Sequence, residues 1–358
     1  MFLRNTWYMA GWAGEIDAGM LARRIADTAV VIYRREDGTP AALHDRCPHR
    51  FAPLSRGRID GDAIECGYHG LRFDGSGQCV GNPHGDGRIP QAAAVRAFPV
   101  VEKYTLLWIW LGEPSGADAS AIPDFSFLED PARRRVDGYL HVEANYLLET
   151  DNLLDLSHTQ FVHANFHFSE SILKGQHEVI QSGNTVHSNL WCPDGAPSPL
   201  FAKRIPGYDG KSPVDQWMDM RWDPPCVLRL DTGITLAGRP REEGGQSYTA
   251  HILTPETETS THYFFAHSRN FRVADAEMDE AIAHWQRVGF GEQDKPMLEA
   301  VQRTMGTSDL MSLKPILLPI DTAAVRARRV VRQLLQAEEG GGVGRLPQAA
   351  PHGETVAS

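Results

Sequence analysis

Positive charge and long apolar runs are both scarce in this sequence. Its 46 acidic residues outnumber 35 Lys and Arg, for a formal net charge of −11, so no basic field is available to hold DNA, RNA or an anionic lipid surface. No stretch approaches the roughly 20 apolar residues that a membrane helix needs. The opening residues, Met1 to Ala10, lack an unbroken apolar core and soon give way to Glu15 and Asp17, so neither a membrane span nor a secretory leader is expected. Cysteine is rare as well: five in 358 residues, an odd number that argues against a disulfide framework and for a reducing, cytoplasmic compartment. A glycine fingerprint for a flavin or nicotinamide cofactor and an internal repeat are also missing. What is present is 42% apolar residues, enough for the cores of two ordinary domains.

Two of the five cysteines carry the strongest signal. They occur in Cys47-Pro48-His49 and Cys66-Gly67-Tyr68-His69, so each short loop offers one thiolate and one imidazole. A Rieske [2Fe–2S] centre needs this mixture, because two histidines replace two cysteines on one of its irons and raise its potential. A Cys2His2 zinc site is the competing reading, but zinc modules usually bring cysteines as one close pair and histidines as another. Cys79, Cys192 and Cys226 are left as isolated thiols.

The organisation along the chain is α+β. Up to about residue 112, short β-prone runs are cut by turn chemistry: Thr28 to Arg34, Gly70 to Phe73, and Tyr104 to Leu111, which predicts a small antiparallel β domain over residues 1–115. Pro, Gly, Ala and Ser then dominate from Glu113 to Pro131, marking a boundary. A second domain over 116–339 is predicted as an antiparallel sheet with helices. Its helices run from Asn145 to about Val162 and from Asp275 to about Met305. Its strands lie within Val179–Trp191, Val227–Ala237, Tyr248–Leu253 and His262–Ser268, with a hairpin across Ile252–Thr259. Residues 340–358 are Gly- and Ala-rich and are expected to be a disordered tail.

Within the first helical segment Asn152, Asp155 and His158 recur at intervals of three and share a side, among Leu153, Leu154, Leu156 and Phe161. His158 and His163 are five apart, about 140° around an ideal helix, too far for one metal. The helix is therefore predicted to end or bulge between them. His163 and His167 form the rival i,i+4 pair. Two histidines usually need a carboxylate partner to hold oxygen-activating iron. The helix after Asp275 offers Asp279, Glu280, Glu292, Asp294 and Glu299. Only Asp294 falls on the apolar stripe of Phe290, Leu298, Val301 and Met305, where a lone carboxylate is costly unless metal-bound. Glu292 and Glu299 are predicted to be solvated.

Cys47-Pro48-His49-Arg50 and Cys66-Gly67-Tyr68-His69-Gly70 closely resemble the two cluster loops of the Rieske family. Asn152, Asp155, His158 and His163 match, position by position, the N-x-x-D-x-x-H-x4-H run of the large subunit of Rieske non-haem iron oxygenases. The resemblance implies a Rieske [2Fe–2S] cluster on Cys47, His49, Cys66 and His69. It also implies a helix-grip, START-like catalytic domain with mononuclear Fe(II) on His158, His163 and Asp294, the last standing where the family has its third ligand. It further implies a homotrimer. Electrons would come from NAD(P)H through a ferredoxin, a flavin reductase or both, and would cross from each cluster to the iron of a neighbouring subunit. Asp155 would bridge the two sites there and serve catalysis, with Asn152 in support.

Nearly the whole chain is similar to the shorter oxygenases that act on aromatic acids, including vanillate and dicamba O-demethylases and toluenesulfonate methyl-monooxygenase. In that subgroup the positions of His251 and Trp285 line the substrate pocket. Leu230 stands where the dicamba enzyme has an asparagine that holds the substrate carboxylate, and an apolar side chain cannot replace that hydrogen bond. Arg229 and Arg239 are candidates for another anion. The expected function is monooxygenation, by O-demethylation or hydroxylation, of a substituted aromatic acid. Arene cis-dihydroxylation remains the rival within the same chemistry, and a Rieske electron carrier or ligand-binding protein the rival outside it.

Overall fold

The computed structural model describes residues 1–205 and 207–340. Beyond Gly340 the predicted tail lies outside the described residues. The chain divides into two compact units, one of residues 1–122 with 254–257 and another of 123–253 with 258 onward.

Eleven short strands make up the first unit: β1 Trp7–Trp12, β2 Leu21–Ile25, β3 Thr28–Arg34, β4 Pro40–His44, β5 Arg58–Asp60, β6 Ala63–Glu65, β7 Arg72–Asp74, β8 Cys79–Gly81, β9 Ala97–Phe98, β10 Val100–Lys103 and β11 Leu106–Trp110. They form three antiparallel sheets, ordered β1-β11-β10, β2-β3-β4-β9 and β5-β6-β7-β8. β3 has its predicted bounds. β7 and β11 start later than the hydrophobic pattern implied, because Gly70 (φ +73°) and Thr105 (φ +64°) take left-handed turn conformations that a strand cannot continue through. The loops after β4 and after β6 hang from one core of Val31, Tyr33, Leu43, Ile64 and Phe73, and Cys47 and Cys66 are part of it.

The second unit contains β12 Arg134–Val142, helix α1 Tyr146–Leu154, and short helices α2 Ala164–His167 and α3 Glu170–Leu173. β13 Gln176–Ser182, β14 Thr185–Gly195, α4 Pro199–Ala202, β15 Val214–Asp223, β16 Val227–Leu236, β17 Gly245–Thr257 and β18 Ser260–Arg269 follow. One continuous helix is then built from α5 Ala276–Gln286, a π-helical segment Arg287–Asp294 and α6 Lys295–Met305, and α7 Thr322–Glu339 closes the described chain. The sheet has seven strands in the order β12-β18-β17-β16-β15-β14-β13. The predicted hairpin turns at Glu258-Thr259, between β17 and β18. β12 and β15 escaped the hydrophobic pattern because charged residues such as Arg135, Asp137, Asp215 and Asp219 interrupt them. α7 packs on β13 and β14, and α5 on β12.

The predicted helix over 145–162 is a correction. Asn145 caps α1 through its side chain, which accepts from Leu147 N at 3.0 Å, but the helix stops at Leu154 because Asp155 leaves helical geometry (φ −88°, ψ 88°). Its carboxylate instead accepts from Ser157 N at 2.9 Å and Ser157 Oγ at 2.6 Å, a local turn that competes with the helical ladder.

α1 is tied to α7 by a buried ion pair. Arg328, 8% exposed, donates through Nη2 to Asp151 Oδ2 at 2.6 Å and through Nε to Oδ1 at 2.9 Å. Removing one partner of such a pair leaves the other charge buried. Arg328→Met should therefore lower stability by about 3 kcal/mol in denaturant titration, and Asp151→Leu combined with it should recover most of the loss. A single-variant loss near zero would contradict this pairing.

Candidate metal centres and the adjoining cavity

The two cysteine loops are built alike. In each, the cysteine N–H donates across the loop, from Cys47 to Ala52 O and from Cys66 to Leu71 O, both at 2.8 Å. The fourth residue on returns its N–H to the cysteine carbonyl, from Phe51 to Cys47 and from Gly70 to Cys66, both at 2.9 Å. That fourth residue is left-handed in both loops, Phe51 at φ +60° and Gly70 at φ +73°. The result is a buried pair of free thiols under two imidazoles, exposed His49 and half-buried His69, whose ring centroids are 4.5 Å apart. His84 Nε2 lies 2.8 Å from His69 O. Two sulfur donors inside and two nitrogen donors outside fit a cluster with one all-sulfur and one all-nitrogen iron.

In the second unit the structure brings His158, His163 and Asp294 together, with one donor atom from each within 4.8 Å of the others. His158 sits in a 3-10 turn, His158–Gln160, after α1 has ended, and His163 immediately precedes α2. The chain thus turns between the two histidines. A π-helical turn occurs elsewhere, in the carboxylate's own helix, over Arg287–Asp294. Lys295 N donates five residues back to Phe290 O, and this widened turn swings Asp294 inward. Asp294 is 6% exposed. Its Oδ2 is 3.1 Å from His163 Nε2 and its Oδ1 is 3.7 Å from His158 Nε2.

The two imidazoles are held by their other nitrogens. His158 Nδ1 donates to the Asp155 carbonyl, and His163 Nδ1 donates to Gln293 Oε1 at 2.8 Å. Both Nε2 atoms are thereby left as lone-pair donors toward Asp294. Burial disfavours protonated His163, but Asp294 and Gln293 outweigh it and raise its pKa, so the site attracts positive charge. Two imidazole nitrogens and one carboxylate on one side, with open positions opposite, suit non-haem Fe(II). Asn152 supports the carboxylate through Nδ2, 3.3 Å from Asp294 Oδ1.

The apolar stripe drawn for this helix needs correcting. Phe290 and Leu298 do face inward with Asp294, but Val301 is 37% exposed and Gln302 takes the buried position, since the π-turn shifts the phase. Glu292 is exposed and pairs with Arg287 at 2.9 Å. Glu299 is not simply solvated: its side chain is 18% exposed and accepts from Glu143 N at 3.1 Å. Gln293 and Glu149 went unnoticed in the sequence. Glu149 is buried with neither carboxyl oxygen hydrogen-bonded, and burial holds its pKa well above the ordinary carboxylate range.

The three residues open onto a cavity with about 700 Å³ of space not filled by protein atoms, its mouth included. His251 and Trp285 line it, as do Leu230, His167 and Arg204. Trp285 stands edge-on to His163 at 5.1 Å and to His167 at 5.0 Å. Gly289 makes room for it, since a Cβ there would lie 2.6 Å from the indole ring. His167, the rival ligand, is buried, its Nδ1 unpartnered and its pKa pulled by burial to about 3. Neither arginine proposed for an anion lines the cavity: Arg229 lies over Tyr248 at 5.8 Å, and exposed Arg239 pairs with Glu243 at 2.8 Å.

Residues 6–99 match the Rieske [2Fe-2S] domain family, and residues 142–337 match the vanillate O-demethylase oxygenase C-terminal domain family. The chain belongs to the vanillate O-demethylase-type Rieske oxygenases. It is 44% identical to the oxygenase component of dicamba O-demethylase of Stenotrophomonas maltophilia, over 94% of this chain and 99% of that protein. It is 40% identical to the oxygenase component of chloroacetanilide N-alkylformylase of Rhizorhabdus wittichii, over 94% and 97%. The crystal structure of dicamba monooxygenase bound to 3,6-dichlorosalicylic acid superposes with a TM-score of 0.90 at 44% identity, over 94% of this chain and 99% of that one. The protein is therefore an oxidoreductase, the oxygenase component of a Rieske system. No described helix is long and apolar enough to cross a membrane.

The Gln293 contact gives a direct test of this site. Gln293→Leu removes the acceptor that orients His163 and should weaken ferrous-ion binding by about 10- to 100-fold. Competition against a chelator measures it, with the visible spectrum of the Rieske cluster unchanged. Wild-type affinity in the variant would show that Gln293 does not orient a ligand.

Proposed function

We propose that this oxygenase removes the methyl group of a methoxylated aromatic acid, or hydroxylates a methyl substituent on it, as a monooxygenase. The observation that supports this most directly is the buried His158–His163–Asp294 set facing a largely apolar cavity, on a chain with a Rieske domain. In O-demethylation the methyl carbon is hydroxylated and the hemiacetal breaks down, so that ArOCH3, O2, two electrons and two protons yield ArOH, formaldehyde and water. Two relatives, the dicamba and vanillate enzymes, are named for O-demethylation.

His158, His163 and Asp294 would hold the ferrous ion, and Cys47, His49, Cys66 and His69 the cluster. When bound, these groups supply open positions for O2 and single electrons. The protein's own residues do the rest. Leu153, Met218 and Met220 keep water from the ring, Trp285 offers its indole to it, and neutral His251 offers a hydrogen-bond donor. Asp155 holds His158 through its carbonyl. Its Oδ1 is fixed by Ser157, and Oδ2 has no hydrogen bond among the described residues, so it can accept an N–H from a cluster histidine of a neighbouring subunit. That arrangement supports the homotrimer reading and makes Asp155 the positioning residue between donor and acceptor centres. Electrons would come from NAD(P)H through a separate ferredoxin or flavin reductase, in the cytoplasm.

Two measurements test this reading. With a surrogate reductase, methoxybenzoates should release formaldehyde in step with O2 consumption, and a cis-diol product without formaldehyde would favour dihydroxylation instead. Asp155→Asn should keep both metal centres but reduce turnover by about 100-fold or more. Turnover at the parent rate would remove Asp155 from the electron path.

A further inference from the structure

The cavity wall carries a charge that no carboxylate among the described residues neutralises. Arg204, two residues beyond α4, is 5% exposed and lines the cavity together with His158, His163 and Asp294. Its Nη1 donates to Thr232 O at 3.1 Å and Thr232 Oγ1 at 2.8 Å, and its guanidinium stacks on Phe201 at 4.0 Å. Both are neutral partners. Among the described residues no carboxylate forms an ion pair with Arg204. The acid whose charge it feels, Asp231, is already engaged by Trp217 Nε1 at 3.0 Å and Gln246 Nε2 at 3.1 Å. Burial pulls Arg204 down only to about 9, so it stays charged at neutral pH. A desolvated, unpaired cation is costly to the fold and is rarely kept without a counter-charge.

Unused donors share the same cavity. His267 is 8% exposed; its Nδ1 lies 3.0 Å from Thr249 Oγ1 and its Nε2 has no partner. His251 repeats the pattern, with Nδ1 2.6 Å from the Tyr263 hydroxyl and Nε2 unpartnered. Burial keeps both rings neutral. In the tautomer where the hydroxyl donates to Nδ1, each ring carries its proton on Nε2 and offers it to the cavity. The intervening wall, with Leu153, Leu200, Met218, Met220 and Leu230, is apolar and suits a ring.

We propose that Arg204, with His267 as a neutral donor, is the anchor for one oxyanion, a carboxylate or sulfonate, carried on the aromatic ring of the substrate. This rests on the oxygenase reading for the orientation of the substrate, but the binding step does not depend on it. Arg204 then fixes the end of the ring that bears the charge, and the remainder of the ring extends into the cavity that the candidate iron ligands share.

Calorimetry on the full-length holoprotein tests it with 3-methoxybenzoate, 3-methoxybenzenesulfonate and neutral 3-methoxybenzamide. At least one anion should bind about 100-fold more tightly than the amide, and Arg204→Gln should cut that anion's affinity by about 100-fold while leaving the amide's unchanged. Arg204→Lys should retain part of the preference, and whichever anion binds better identifies the oxyanion. In ligand-free protein Arg204→Met should raise the melting temperature, because it removes an uncompensated charge, whereas a purely structural arginine would lower it. Failure of both anions to bind at millimolar concentration, amide binding equal to theirs, or anion binding indifferent to Arg204 each overturns the proposal. Arg204-dependent binding without formaldehyde release leaves the anchor standing and refutes the demethylase reading. Formaldehyde released equally from acids and neutral aryl ethers does the reverse.

Discussion

A carboxylate buried between two imidazoles is tolerable only if something positive lies among them. Asp294 is nearly inaccessible, surrounded by Phe290, Tyr263 and Leu153, and its oxygens point at two nitrogens that are already oriented as lone-pair donors. A long helix is distorted into a π-turn to bring it there. α1 stops early so that His158 can turn toward it, and Gln293, the residue before it, holds His163. Much of the local irregularity in the second unit follows from the need to set three donors around one cation.

Arg204 is the complementary case within the same cavity. Asp294 and its histidines would be satisfied by a resident metal ion, whereas the counter-charge proposed for the guanidinium is a substrate oxyanion that arrives and leaves. One wall thus calls for a cation and another for an anion, with apolar surface between. A ring that carries both an oxyanion and an oxidisable methyl or methoxy group has that pattern of charge. A neutral anilide does not.

The parts of this arrangement legible in the sequence are the local ones. Cys47, His49, Cys66 and His69 are read directly because each loop carries its own donors within a few residues, and the structure gives both loops the same hydrogen-bonded turn. His158 and His163 were also readable, together with the need for a break between them. The place of the break was not, because Ser157 competes for the Asp155 carboxylate and ends the helix a turn sooner. Asp294 stood out by its apolar phase, although the π-turn that makes it face inward also shifts that phase and exposes Val301.

What depends on distant partners left no local signal. Asp151 and Arg328 are 177 residues apart, and nothing near either one announces the other. Arg204 belongs to no periodic pattern, and only the fold, which sets it against Thr232 of β16, makes it a cavity residue, while Arg229 and Arg239, nearer in sequence to the family's substrate positions, turn elsewhere. The central claim is that one chain carries a diiron cluster and a separate ferrous site. Iron and acid-labile sulfide analysis of anaerobically purified protein tests it most directly. The account predicts about three irons to about two sulfides per chain; about two irons to two sulfides after ferrous reconstitution, or zinc in place of the third iron, would contradict it.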